Sequence, residues 1–241
     1  MHLDYAAIFA IRGERYHRAM TRSPGARAAE FARLFDRHPV EAGQHVLDLP
    51  AGGGYLGSYL PRGARLTARE LTPGFHGNVE VVPLTGTDLT GLGPFDHAVC
   101  LAALHHVEDP AAVLARMAGR LAPGGVLHFA DVAQGSGISR FLDGFVGRYN
   151  ETGHDGRYLD ADALPLSPDL GGAVTRVEDA ACPWHFADEA EMLAFCSDLF
   201  GLSDCPRQAL LDALARDVGI DATGDGICLR WRLTYVDVQP G

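Results

Sequence analysis

The apolar positions of this chain change period along its length. Ala28, Phe31, Ala32 and Phe35 recur at helical spacing, and Pro24-Gly25 separates them from an earlier apolar stretch, so residues 4–38 read as two helices. Short runs follow: HVLDLP, ARLTARE (64–70), NVEVVPL (78–84), FDHAVCLAAL (95–104) and GVLHFADV (125–132), each of strand length. The first ends in an acid and runs into glycines. VEDPAAVLARMAGRLAPGG lies before the last run and is the clearest helix, with Asp109 as N-cap and Pro110 at the first helical position. Its apolar stripe is Ala111, Leu114, Ala118 and Leu121. Arg116 and Arg120 sit toward the negative end of its dipole, and Pro123-Gly124-Gly125 provides a stop.

Past residue 132 the regularity lapses into a Gly-, Asp- and aromatic-rich segment with one helix over Ser139 to Tyr149. AVTRVEDA then reads as a strand, and DEAEMLAFCSDLFGL and RQALLDALARDVG as helices. GICLRWRLTYVDVQ reads as one long strand pairing antiparallel at the edge of the sheet. The alternation implies an α/β fold, a mostly parallel sheet with helices on both faces. We read residues 1–241 as a single domain: an N-terminal helical cap (1–40), a core (45–132), a covering insertion (133–172) and a C-terminal part (173–241). In such sheets ligands sit beyond the carboxyl ends of the strands. Asp48 to Gly54, Glu70, the region of Asp88, and Ala102 to His106 should therefore converge.

Composition narrows the partners. The formal charge of −11 repels phosphate backbones and anionic membranes, so no nucleic acid is expected. No apolar run approaches the ~18 residues of a membrane span, and a cytoplasmic location follows as the default. The five cysteines are scattered without a C-x-x-C, against a disulfide framework or zinc site. Cys100 and Trp184 read as core. Glu178, Asp179, Asp188, Glu189 and Glu191 read as a solvated face, and no metal is expected. Nothing in the pattern specifies an oligomeric state.

VLDLPAGGGYLG (46–57) spells G-x-G-x-x-G at Gly52, Gly54 and Gly57, the form of a dinucleotide-binding turn between strand and helix. The spacer before Gly52 and the negative Asp48 both count against a pyrophosphate there. Asp48 has the right sign for a cofactor bearing a cationic amino group and a sulfonium. Glu70 can accept hydrogen bonds from both hydroxyls of a ribose, in either kind of cofactor.

With Glu70 and the block PFDHAVCLAALHHVEDPAAVLARMAGRLAPGGVLHFADV, this stretch resembles the class I S-adenosylmethionine-dependent methyltransferases over residues 45–132. The resemblance implies a Rossmann-like seven-stranded sheet and methyl transfer to an O, N or C nucleophile of a small-molecule acceptor. It implies Asp48, Ala51, Gly52 and Gly54 around the methionine part of S-adenosylmethionine, Glu70 on the ribose with Leu71 nearby, Asp88 and Leu89 near the adenine, and Ala102 to His106 beside the transfer site. His105 and His106 are candidate general bases, since an imidazole takes a proton near neutral pH. Tyr16, Phe141, Phe145, Tyr149, His154 and Tyr158, with Tyr5 and Arg157, are candidates for the acceptor wall; Phe141, Phe145 and Tyr149 share a helical face.

Two departures stand out. Pro50 replaces the family's usual first glycine and cannot donate an N–H. Eight residues between Glu70 and Val79 reduce the expected helix to a turn at Pro73-Gly74. Two alternatives stay open: an NAD(P)-dependent oxidoreductase, and a relative that binds the cofactor without methyl transfer.

Overall fold

The computed structural model describes residues 5–75, 80–81, 89–166, 170 and 172–240. Its main sheet runs β3-β2-β1-β4-β5-β10-β6, with β1 His45–Asp48, β2 Arg65–Glu70, β3 Glu80–Val81, β4 Phe95–Leu101, β5 Leu121–Asp131, β6 Gly172–Ala181 and β10 Arg232–Pro240. The first five strands in this order pair in parallel. β1 is central because its residues are apolar on both faces: Val46 packs into one core, with Leu56, Phe141 and Trp184, and Leu47 into the other, with Phe95, Leu114 and Phe129. The strand order reverses between β1 and β4. Connections leave the sheet in opposite directions there, so a crevice opens at the carboxyl ends, beside Asp48 and Leu101.

The C-terminal segment departs from the expected single edge strand. It splits into β9 Gly226–Leu229 and β10, because the chain turns sharply at Trp231, whose N–H bonds back to the Leu229 carbonyl at 2.8 Å. β9 joins β7 Trp184–Phe186 and β8 Ile220–Thr223 in a separate antiparallel sheet. β10 is antiparallel but interior, inserted between β5 and β6, and β6 forms the edge. Period-two alternation continues through such a change of sheet and cannot reveal it.

Helices α1 Tyr5–Arg22 and α2 Ala28–Ala32 match the expected break, and α3 Pro110–Ala118 is capped by Asp109, which accepts from the Ala112 N–H at 3.0 Å. α3 ends well before Pro123, and β5 begins at Leu121, earlier than expected. The insertion helix is α4 Gly137–Arg140, a wider π-turn Phe141–Val146, and α5 Gly147–Tyr149. Helices α6 Glu189–Leu199 and α7 Arg207–Ala213 follow. The turn after β1 leads only into a five-residue 3-10 helix, Tyr55–Tyr59, and Pro73-Gly74 forms the expected turn after β2.

Helix α1 lies across the crevice. A Cβ on Gly13 would fall 1.8 Å from the Gly74 carbonyl oxygen, and one on Gly74 would fall 2.1 Å from the Phe9 carbonyl oxygen. Backbone meets backbone here, which only glycine permits. On its other side α1 is tied to α6: Arg18 forks onto Asp198 at 2.8 and 2.7 Å, and Arg12 Nη2 donates to the Leu199 carbonyl at 2.7 Å. Gly74→Ala should therefore push α1 off its seat, costing about 1–3 kcal/mol. A thermal melt several degrees below wild type is the expected result.

Candidate active site

Two cavities open at the carboxyl ends of β1 and β4. One is lined by Asp48, Pro50, Ala51 and Gly52 of the β1 turn, by Leu101 to Ala103, and by Tyr5 and Phe75. The other is lined by Arg12, His105, His106, His154, Leu142 and Trp231, among others. Phe9, Tyr16, Arg27 and Ala102 border both. The chain leaving β4 turns between them at Ala102, held at φ 50.

In the first cavity Gly52, at φ +55, presents bare backbone, and a Cβ there would lie 3.4 Å from the Tyr16 hydroxyl. Its N–H donates to Glu70 Oε2 at 2.7 Å, and the Leu71 N–H donates to Oε1 at 2.7 Å. Burial pushes the Glu70 carboxyl up to about 7, against these bonds and one from the Tyr5 hydroxyl. Burial, and then the charge of Glu70, raise the Asp48 carboxyl well above the usual carboxylate range. The nearest lining cation, Arg27, is already committed: it pairs with Glu30, which also accepts from Trp184 Nε1 at 2.7 Å, and it donates to the Tyr16 hydroxyl at 2.6 Å. Two buried acids are thus left short of positive charge. A ligand carrying a cation supplies what they lack.

The second cavity centres on histidines. The main-chain N–H of His105 donates to Asp131 Oδ2 at 3.1 Å and its Nδ1 to Oδ1 at 2.6 Å. An ionised carboxylate only accepts, so Nδ1 carries the proton and Nε2 keeps its lone pair. His154 is oriented in the same way, with Nδ1 3.0 Å from Asp143 Oδ1. Burial lowers His154 to about 4, which leaves it neutral at pH 7. Burial works against Asp143, yet hydrogen bonds from His154, Tyr158 and the Gly156 N–H hold it below its ordinary value. The rings of His105, His106 and His154 bring a nitrogen each within 4.8 Å of one another, a donor set of the kind that ligates metal ions. The sequence, read among its acids, had pointed to no metal.

Among the sequence candidates, Asp48, Ala51, Gly52 and Ala102 line the first cavity, and Ala102, Tyr16, His105, His106 and His154 the second. Gly54, at φ 82, caps the following 3-10 turn. Glu70 and Leu71 are buried behind the wall, and Leu89 packs into the core with Leu71. Asp88 lies outside the described residues.

The insertion aromatics need correcting. Phe141, Phe145 and Tyr149 do stack in sequence, at 5.6 and 4.9 Å. Their shared face turns away from the histidines, however: Phe141 is fully buried against Phe200, and Phe145 and Tyr149 line a separate depression with Arg148 and Arg216. Leu142 takes the cavity position instead. Tyr158 stands behind His154, its hydroxyl 2.5 Å from Asp143. Sequence reasoning missed Arg12 and Asp131. Asp131 had a usable signal, an acid closing β5 as Asp48 closes β1. Arg12 had none.

The reversal of strand order between β1 and β4 brings the paired cavities and the acidic glycine turn to one crevice. Residues 47–127 match a family described as a methyltransferase domain. The chain is similar to the ubiquinone biosynthesis O-methyltransferases of Xanthomonas axonopodis pv. citri (34% identical over 100 residues, covering 36% of this chain and 42% of the relative) and Xylella fastidiosa (34% over 109 residues, 38% and 43%). The match thus spans less than half the length of these relatives.

Solved structures share the fold. A chain from the complex of the Haloferax volcanii Trm112 methyltransferase activator has a TM-score of 0.60 at 19% identity over 99% of both chains. The Burkholderia thailandensis 1,6-didemethyltoxoflavin-N1-methyltransferase, solved with S-adenosylhomocysteine, gives 0.51 at 16% over 94% of this chain and 84% of its own. The cyclase SpnF gives 0.53 at 16% over 89% and 81%. The dinucleotide alternative loses its physical basis: a phosphate needs the positive end of a helix behind the glycines, and only a 3-10 turn stands there.

Glu70 stands behind the wall of the first cavity and accepts from the Gly52 N–H, so its protonation removes a negative charge beside that cavity. Affinity for S-adenosylmethionine should therefore hold above pH 7 and fall as pH drops through about 7, by up to tenfold per unit below it. Calorimetric titrations at pH 8 and pH 6 measure this.

Proposed function

We propose that the protein transfers a methyl group from S-adenosylmethionine to an oxygen of a small-molecule acceptor. The observation that carries this reading is the shared wall: Phe9, Tyr16, Arg27 and Ala102 border both a cavity lined by the buried acid Asp48 and a cavity with a carboxylate-oriented histidine. The bound cofactor would supply an electrophilic methyl on a sulfonium. Asp48 would hold its amino group, the bare backbone of Gly52 and Ala51 its methionine chain, and Glu70 its ribose, in exchange for the Tyr5 hydroxyl. His105 would accept the acceptor's proton at Nε2, while Asp131 steadies the imidazolium that forms. Phe9, Leu142 and Trp231 would exclude water and align the two reactants. His154, with Leu142, makes the 133–172 segment the cover of the acceptor side.

The names of the curated relatives support oxygen as the acceptor atom, and the charge of −11 supports a small cytoplasmic acceptor over a nucleic acid.

Asp48→Ala should abolish binding of S-adenosylhomocysteine in a calorimetric titration. With a phenolic acceptor panel, His105→Gln and Asp131→Asn should bind the product cofactor normally and lose ~10²–10⁴-fold in kcat. Binding that survives Asp48→Ala, or turnover indifferent to His105, would overturn these roles.

A further inference from the structure

Arg12 is a buried charge without an ion-pair partner among the described residues. It lines the histidine cavity and is only 7% exposed. Its Nη2 is used by the Leu199 carbonyl, but Nε and Nη1 are buried with no hydrogen-bond partner among the described residues. The face of Phe9 lies 5.2 Å from its guanidinium carbon, and no acid forms an ion pair with it among those residues. Burial lowers its pKa to about 10, against Tyr16 and Tyr5 and with the charge of Arg15 adding to the effect. Arginines 15 and 18 on the same helix reach Asp198, and Arg27 has Glu30, so their charges are answered within the fold. A buried, unanswered guanidinium destabilises a protein unless something else supplies the anion.

We propose that Arg12 is the recognition residue for a carboxylate on the methyl acceptor, so that the acceptor is an anionic, ring-bearing small molecule. The inference rests on the proposed methyl transfer. Its geometry is that of the second cavity. Arg12 and the histidines stand on its polar side, and Phe9, Trp184, Phe200 and Trp231 offer flat apolar surface for a ring. The second N–H of Nη2, together with that of Nε or Nη1, makes a fork that suits the two oxygens of a carboxylate. The cofactor carries a carboxylate too. Arg12, however, does not border the cavity of Asp48 and Gly52, where Arg27 is the lining base.

The test needs no knowledge of the natural acceptor. Benzoate and its uncharged isostere benzamide, at millimolar concentration and equal ionic strength, are compared by thermal shift on protein saturated with S-adenosylhomocysteine. Benzoate should raise Tm and benzamide should not. Arg12→Met should erase the benzoate shift and keep cofactor affinity within about threefold, while Arg12→Lys should retain part of the shift. Equal shifts from benzoate and benzamide, or no shift from either, would overturn the proposal without touching methyl transfer. A tenfold or greater loss of S-adenosylhomocysteine affinity in a folded Arg12→Met would assign Arg12 to the cofactor's carboxylate and overturn it as well. If wild type fails to bind S-adenosylhomocysteine at all, it is the methyl-transfer reading that fails. If Arg12→Met does not fold, the benzoate–benzamide contrast on wild type and Arg12→Lys decides.

Discussion

Everything in the crevice hangs on the seating of helix α1 against the turn after β2. Tyr5, Phe9, Arg12 and Tyr16 fall on one stripe of that helix. The stripe reaches Glu70 with its first residue, walls both cavities with Phe9 and Tyr16, and inserts Arg12 into the second. It reaches so far because Gly13 and Gly74 let two backbones touch where side chains would hold them apart. The opposite flank of α1 is fixed by the fork of Arg18 on Asp198. A helix gripped on both flanks is a rigid wall, and the cavities take their shape from it.

The charge distribution follows a different logic from that of a stable core. Arg27, Glu30, Trp184 and Tyr16 form a closed set in which each buried charge is answered. On one side of that set Asp48 and Glu70 have no ion-pair partner among the described residues, and on the other Arg12 has none among them either. Each imbalance costs stability in the empty protein, since desolvation is not repaid by pairing. Two neighbouring cavities of opposite electrostatic need, sharing Phe9, Tyr16, Arg27 and Ala102, make sense if two ligands of opposite local charge are to be brought together.

Much of this was legible in the sequence, for reasons that can be stated. Buried parallel strands read as apolar runs, and ligands gather at their carboxyl ends, so Asp48, Ala102, His105 and His106 could be nominated by position alone. Asp131 obeys the same rule and could have been found by it. Arg12 could not, because an arginine on an amphipathic helix looks the same whether its partner is an acid, a carbonyl or nothing. The C-terminal strand was misread because alternation records which side of a strand is buried and says nothing about which sheet buries it. The aromatic stripe of the insertion was correctly seen as one face. A helix has several faces, and spacing does not say which of them meets the crevice.

The fold itself leaves the reaction open, since a similar structure belongs to a cyclase. What narrows it is the pairing of His105 with Asp131. A histidine that merely filled space at the end of a strand would not need a buried carboxylate on both its main-chain N–H and its Nδ1. Those two bonds fix the ring's tautomer and its direction together, and they leave Nε2 as the ring's only basic atom. An acid buried at 1% exposure is costly to keep for packing alone. Three hydrogen bonds, from the main-chain N–H and Nδ1 of His105 and the Val132 N–H, answer that cost and hold the carboxylate where it orients the imidazole. In the proposed transfer that fixed orientation is what His105 brings to its role as base, and it is made from groups the chain itself supplies.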